Sequence, residues 1–260
     1  MKALLIAATL LIGTTSAHEQ QCNVQLDKDL IITPDSVTIQ SNNKELWRIN
    51  SQGKLWLETK SMPTDNKTQQ QLQQFQADIR QQTGQTIALV EDALVLASDA
   101  INTVVSELTG EPVSNSSAIN TAMAKVKAYS DSLIHTQQDN ITVYGSRFNT
   151  ADKVFDQAFE QAIEQTVTQS IGSIMQIVGK ALTSSEGSFE QRMTAFAEKM
   201  ENFGSQLEQK IESQVSTLEQ RGKALCDSLH KLDKLETDIQ QAIPQMRQYD
   251  LIEISQSNKA

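Results

Sequence analysis

Hydrolytic and metal chemistry needs a nucleophile with its base, or several ligands, brought together in space. This sequence supplies few such groups: three histidines and two cysteines in 260 residues. His135 and His230 have no second histidine at helical spacing, so each reads as a surface or packed side chain. His18 differs, because cleavage after Ala17 would make it the first residue, where an imidazole and a free α-amine together can chelate copper. A copper-dependent enzyme built on His18 would need a second histidine or carboxylate held beside the chain start, and is the least favoured reading. Glu91 and Asp92 are adjacent on a helical pattern and point in different directions, which does not make an acid-base pair. There is no glycine-rich phosphate loop, no serine-centred elbow and no zinc spacing. No catalytic residue, cofactor or resident metal is therefore expected, and the chain reads as a non-enzyme.

The two cysteines take their meaning from the compartment. Lys2, the apolar run 3–13 and Thr15-Ser16-Ala17 read as an export signal, residues 1–17, cleaved before His18. The run is too short for a permanent membrane anchor. Glu19-Gln20-Gln21 separate the cleavage point from Cys22, which argues for a free exported protein and against a lipid-anchored one. No later run of apolar residues is long enough to span a bilayer. In an oxidising compartment Cys22 and Cys226 are most simply a structural disulfide, which a chain-entropy model credits with roughly 5 kcal/mol for so long a loop. Two free or intermolecular thiols remain the competing reading. The formal net charge of −10 makes the chain a poor nucleic-acid or anionic-membrane binder.

The elements around these residues begin with a β-rich part, 18–60. Leu30-Ile31-Ile32 precede the turn formers Pro34-Asp35, and Val37 and Ile39 then alternate with polar residues. Residues 46–49 and 54–57 flank Asn50-Ser51-Gln52-Gly53, a hairpin loop ending in a glycine suited to positive φ. Both tryptophans, Trp47 and Trp56, sit on this hairpin. They raise the idea of a carbohydrate platform, but an aromatic on a small sheet is more simply packed under a helix.

Residues 61–68 read as a polar linker, and 69–243 as a bundle of long helices. The first runs to about Gly110, with a kink or looser contact expected near Gly84. A second starts at Ser116 or Ser117 and runs to about Gln138, followed by a short strand, 141–144, that should join the N-terminal sheet. A third spans about 149–182, uncharged from Gln165 to Gly179. The last, 188–243, is the longest: Phe203, Leu207, Ile211, Val215, Leu218, Leu225, Leu229, Leu232, Leu235, Ile239 and Ile243 continue one stripe on a rod on the order of 80 Å long. Pro244 should stop it, leaving 244–260 as a C-terminal tail with a final strand near 249–254.

In this order the chain resembles the YggN-like family of uncharacterised exported proteins of Gram-negative bacteria. Cys22-Asn23-Val24, Ile32-Thr33-Pro34 with Ser36-Val37, the hairpin around Gly53 and Leu55, the strand at 141–144, and Leu225-Cys226 carry the resemblance. It implies a periplasmic location and a shared architecture, and no activity.

The expected fold is α+β, a small N-terminal antiparallel β-sheet packed on an elongated bundle of long antiparallel α-helices. The expected function is a non-catalytic structural or protein-interaction role with an envelope protein partner. The alternative is binding of a lipid or cell-wall molecule in an apolar cleft beside the uncharged helix. The pattern leaves open whether the long stripe meets its own chain or a second copy in a homo-oligomer.

Overall fold

A computed structural model describes residues 24–109, 117–148, 179 and 188–254. Nine strands and three long helices are described: β1 (Val24–Gln25), β2 (Asp29–Ile32), β3 (Ser36–Ser41), β4 (Lys44–Asn50), β5 (Leu55–Leu57), β6 (Lys60–Met62), α1 (Asn66–Thr109), α2 (Ser117–Leu133), β7 (Ile134–Gln137), β8 (Asn140–Tyr144), α3 (Phe189–Ala242) and β9 (Glu253–Ile254). The fold is α+β, with a seven-stranded antiparallel sheet ordered β6-β5-β4-β3-β2-β8-β7. The chain divides into two compact units. One comprises the described residues within Met1–Ile87, Ala128–Asp156 and Lys223–Ala260, the other those within Ala88–Lys127 and Gln157–Gly222.

In the first unit the period-two alternation of the strands sorts side chains onto two faces. One cross-strand row, Leu57, Trp47, Ile39, Leu30 and Val143, is buried throughout. The neighbouring row on the other face, Trp56, Arg48, Thr38, Ile31, Thr142 and His135, is half-buried to exposed. Leu72, Phe75 and Ile79 of α1, Leu232 and Ile239 of α3, and Ile243 just beyond it close over the buried face and join its apolar core. The hairpins turn where the sequence permits left-handed backbone. Asn42 and Asn43 have φ of 51° and 61° between β3 and β4, as a type I′ turn requires. Gly53 has φ of 73°, and Asn50 stitches its loop by accepting the Gln52 and Lys54 amides at 3.1 and 2.8 Å.

α1 is capped by Asp65, whose side chain accepts the Thr68 amide at 2.7 Å, which holds its carboxyl below the usual range. α3 opens on a capping box, with the Gln191 amide donating to Ser188 Oγ at 3.3 Å and the Ser188 amide donating to Gln191 Oε1 at 2.9 Å. It then runs unbroken to Ala242, as the stripe predicts, and Pro244 ends it. The strand at 141–144 does join the sheet, beside β2.

Three expectations need correction, and the alternative left open at Gly84 is resolved. Residues 61–68 are not a linker: Ser61 and Met62 belong to β6, which pairs with β5 and packs Met62 against the core, and α1 begins at Asn66. The helix expected to reach Gln138 stops at Leu133, and the next four residues form β7, so 141–144 is half of a hairpin and not a single strand. α1 passes Gly84 without a break, although a Cβ there would meet nothing within 4 Å, the looser contact expected. Residues 244–252 are not a tail, since Met246, Leu251 and Ile252 are core residues, while the final strand expected near 249–254 is present as β9, paired with β1. The helix at 149–182 lies outside the described residues, apart from helical Gly179.

Candidate functional site

The sequence-predicted site residues are not brought together. His18 and Cys22 lie outside the described residues. Cys226 is buried on α3 and is not a free thiol. His135 is exposed on the edge strand β7, and His230 is half-buried on α3. Among the described residues, no group of three His, Cys, Asp or Glu side chains is placed to hold a metal ion. The two tryptophans part company, since β4 and β5 place them on opposite faces. Trp47 is fully buried with its ring centroid 6.0 Å from that of Phe75 on α1, as a covering helix predicts. Trp56 is half-buried on the other face, with the Arg48 guanidinium stacked 4.3 Å from its ring centre.

The residues that sequence reasoning missed gather where the chain returns after α3. Residues 243–254 form a strap over the sheet and α3. The Trp47 indole N–H donates to the Tyr249 carbonyl at 3.1 Å, and the Tyr249 hydroxyl donates to Glu58 at 2.7 Å, raising the tyrosine and lowering the carboxylate. Glu58 and Thr59 form the β5–β6 turn with φ of 44° and 74°, a conformation that costs a β-branched residue appreciably. Under the strap lies Glu236, 1% exposed. Its Oε1 accepts the Leu251 amide at 2.8 Å, while Oε2 has no hydrogen-bond partner. Burial, against the pull of the Leu251 and Ile252 amides and with the added push of Asp250 and Asp233, raises its carboxyl to about 8. Burial also raises Asp233, with Asp250 adding to the shift and His230 opposing it. The available signal was spacing: Leu232, Glu236, Ile239 and Ile243 recur at four, three and four, so the glutamate occupies a position in the buried stripe.

In the second unit the described apolar side chains of the helices are half-buried or exposed. Leu96, Ala100 and Thr103 of α1 and Leu207 and Ile211 of α3 line a small hollow, and Arg221 pairs with Asp92. Leu207, Ile211, Val215 and Leu218 are each only half-buried, and Val90 and Val95 are 36% and 60% exposed. Among the described side chains of residues 188–224 none is buried. No described helix is long and apolar enough to cross a membrane.

A family described as "Protein of unknown function (DUF2884)" matches residues 22–252. The chain is similar to "Uncharacterized protein YggN" of Escherichia coli strain K12, 23% identical over 234 residues that cover 90% of this chain and 95% of that protein. The proteins of the same name from E. coli O6:H1 and O157:H7 match equally. No solved structure matches.

Proposed function

The chain belongs to this family of unknown function, and on that premise we propose that it is a non-catalytic exported protein of the Gram-negative envelope whose second unit docks a protein partner. The observation that carries the reading is the helical pair of that unit: an apolar stripe along residues 203–218 of α3 with no buried side chain among those described, and a helix whose Val95 is 60% exposed. Apolar side chains left partly in water along one helical unit are the kind of surface that interaction partners cover. Long amphipathic helices also present the three-four spaced anchors that helix-in-groove recognition uses.

The reading includes a cleaved leader of residues 1–17, a periplasmic location, helices arranged as an elongated bundle, and a bond between Cys22 and Cys226. A buried Cys226 that is not a free thiol supports the last point. So does the position of Cys22, the chain's only other cysteine, two residues before β1.

Pull-down from periplasm with the tagged full chain, alongside light scattering of the purified protein, tests the role. A partner retained by the wild type and lost by Val95→Asp is expected. A monomeric particle that retains nothing would count against the reading. Discrete lipid-sized mass additions in native mass spectrometry would replace it with lipid or cell-wall binding.

A further inference from the structure

We propose that Glu236 and the strap over it form a proton-controlled latch, in which the strap's grip on α3 loosens when the carboxyl loses its proton. The geometry is a single buried carboxyl with one oxygen bound to the strap's Leu251 amide at 2.8 Å and the other without a partner. The strap has other holds, in the Trp47 bond to the Tyr249 carbonyl, the Gln240 bond to Asp250 at 2.9 Å and the β1–β9 pairing. Glu236 is the one fully buried ionisable group among them. Asp233, about one helical turn before it on α3, and Asp250 in the strap are the charged groups that act on it. Both oppose its ionisation, and His230 tempers Asp233. Neither acid offers the compensating cation that a buried carboxylate needs.

The direction follows from proton counting. With the strap closed, Glu236 holds its proton up to about pH 8; with the strap lifted, it meets water and returns toward its ordinary 4.5. Between these values the closed form carries one more proton than the open form, so raising the pH favours opening by about tenfold per unit. Below 4.5 both forms are protonated and above about 8 both are ionised, so the effect is flat outside that window. The latch is tightest in acid and slackest above pH 8. Opening would uncover the apolar surface now beneath Met246, Leu251 and Ile252.

Amide hydrogen exchange of the full chain, corrected for the intrinsic rate of each amide, reads this at Leu251 and Ile252. The opening constant is expected to rise by about a hundredfold between pH 5.5 and 7.5 in the wild type and to stay flat in Glu236→Gln. A flat wild-type profile, a rise retained in Glu236→Gln, or an equal rise at the Ile39 amide, which would mark opening of the whole unit, each overturns the proposal. Should Glu236→Gln fail to fold, carbon-13 titration of the wild-type Glu236 carboxyl decides. A midpoint well above the ordinary glutamate value supports the latch, and an ordinary or lower midpoint removes it.

Discussion

Gly53 and Gly84 both lie in the first unit, and the same change to alanine should move its stability in opposite directions. At Gly53 the backbone has φ of 73°, where an added Cβ costs about 1–2 kcal/mol in an L-residue. That Cβ would also collide with the Gln69 carbonyl and sit 3.0 Å from the Gln73 amide, both backbone atoms of the first turns of α1. Neither can swing aside as a side chain would, so the helix start must shift. An overpacking cost of about 1–3 kcal/mol is then added. The Gln69 side chain, which donates to the Gln52 carbonyl at 2.8 Å, ties the same loop to the same turn. At Gly84 the surroundings are open and the backbone is helical, so alanine gains about 1 kcal/mol from helix propensity alone. The two variants should therefore differ by about 3–6 kcal/mol. Urea unfolding followed by tryptophan fluorescence is the assay, because Trp47 and Trp56 are the only tryptophans and both report on this unit. A Gly53→Ala midpoint equal to wild type would refute the packing of hairpin loop on helix, and a lowered midpoint for Gly84→Ala would refute the open surroundings of that glycine.

Other consequences are equally specific. Thr59→Gly should stabilise the first unit by about 1 kcal/mol, since it relieves a β-branched residue at φ of 74°; an unchanged urea midpoint would remove the strain argument. Ile239→Ala, at a fully buried position between sheet and α3, should cost about 2–5 kcal/mol in the same assay, and a cost below that range would mean the helix does not close the core. Intact mass of the purified protein, before and after reductant, should differ by the hydrogens of one disulfide and drop to no difference in Cys226→Ser. An oxidised mass that survives that substitution would contradict the Cys22 pairing.

The parts of the fold legible in the sequence are those where one physical signal acts alone. Alternation with Asn50-Ser51-Gln52-Gly53 marked the β4–β5 hairpin, and the three-four stripe with Pro244 marked the long final helix and its end. β7 was not legible because Leu133 and Ile134 continue the helical spacing, while His135, Thr136 and Gln137 are exposed on an edge strand that needs no alternation. β6 offers only Lys60-Ser61-Met62, and its pairing is backbone hydrogen bonding that composition does not record. The strap was read as a tail because Met246, Leu251 and Ile252 have no period; they fill space left by the sheet and α3. Glu236 was passed over because a glutamate on a helix normally faces water, and Leu235 beside it continues the apolar count.

Position-specific photo-crosslinking in living cells tests the proposed role most directly. A crosslinker placed at exposed Val95 in the second unit is expected to yield a discrete protein adduct, while one at exposed Gln81 in the first unit yields none. Adducts of one mass at both positions, or none at Val95 under conditions where the protein is abundant and folded, would contradict a docking role for the helical face.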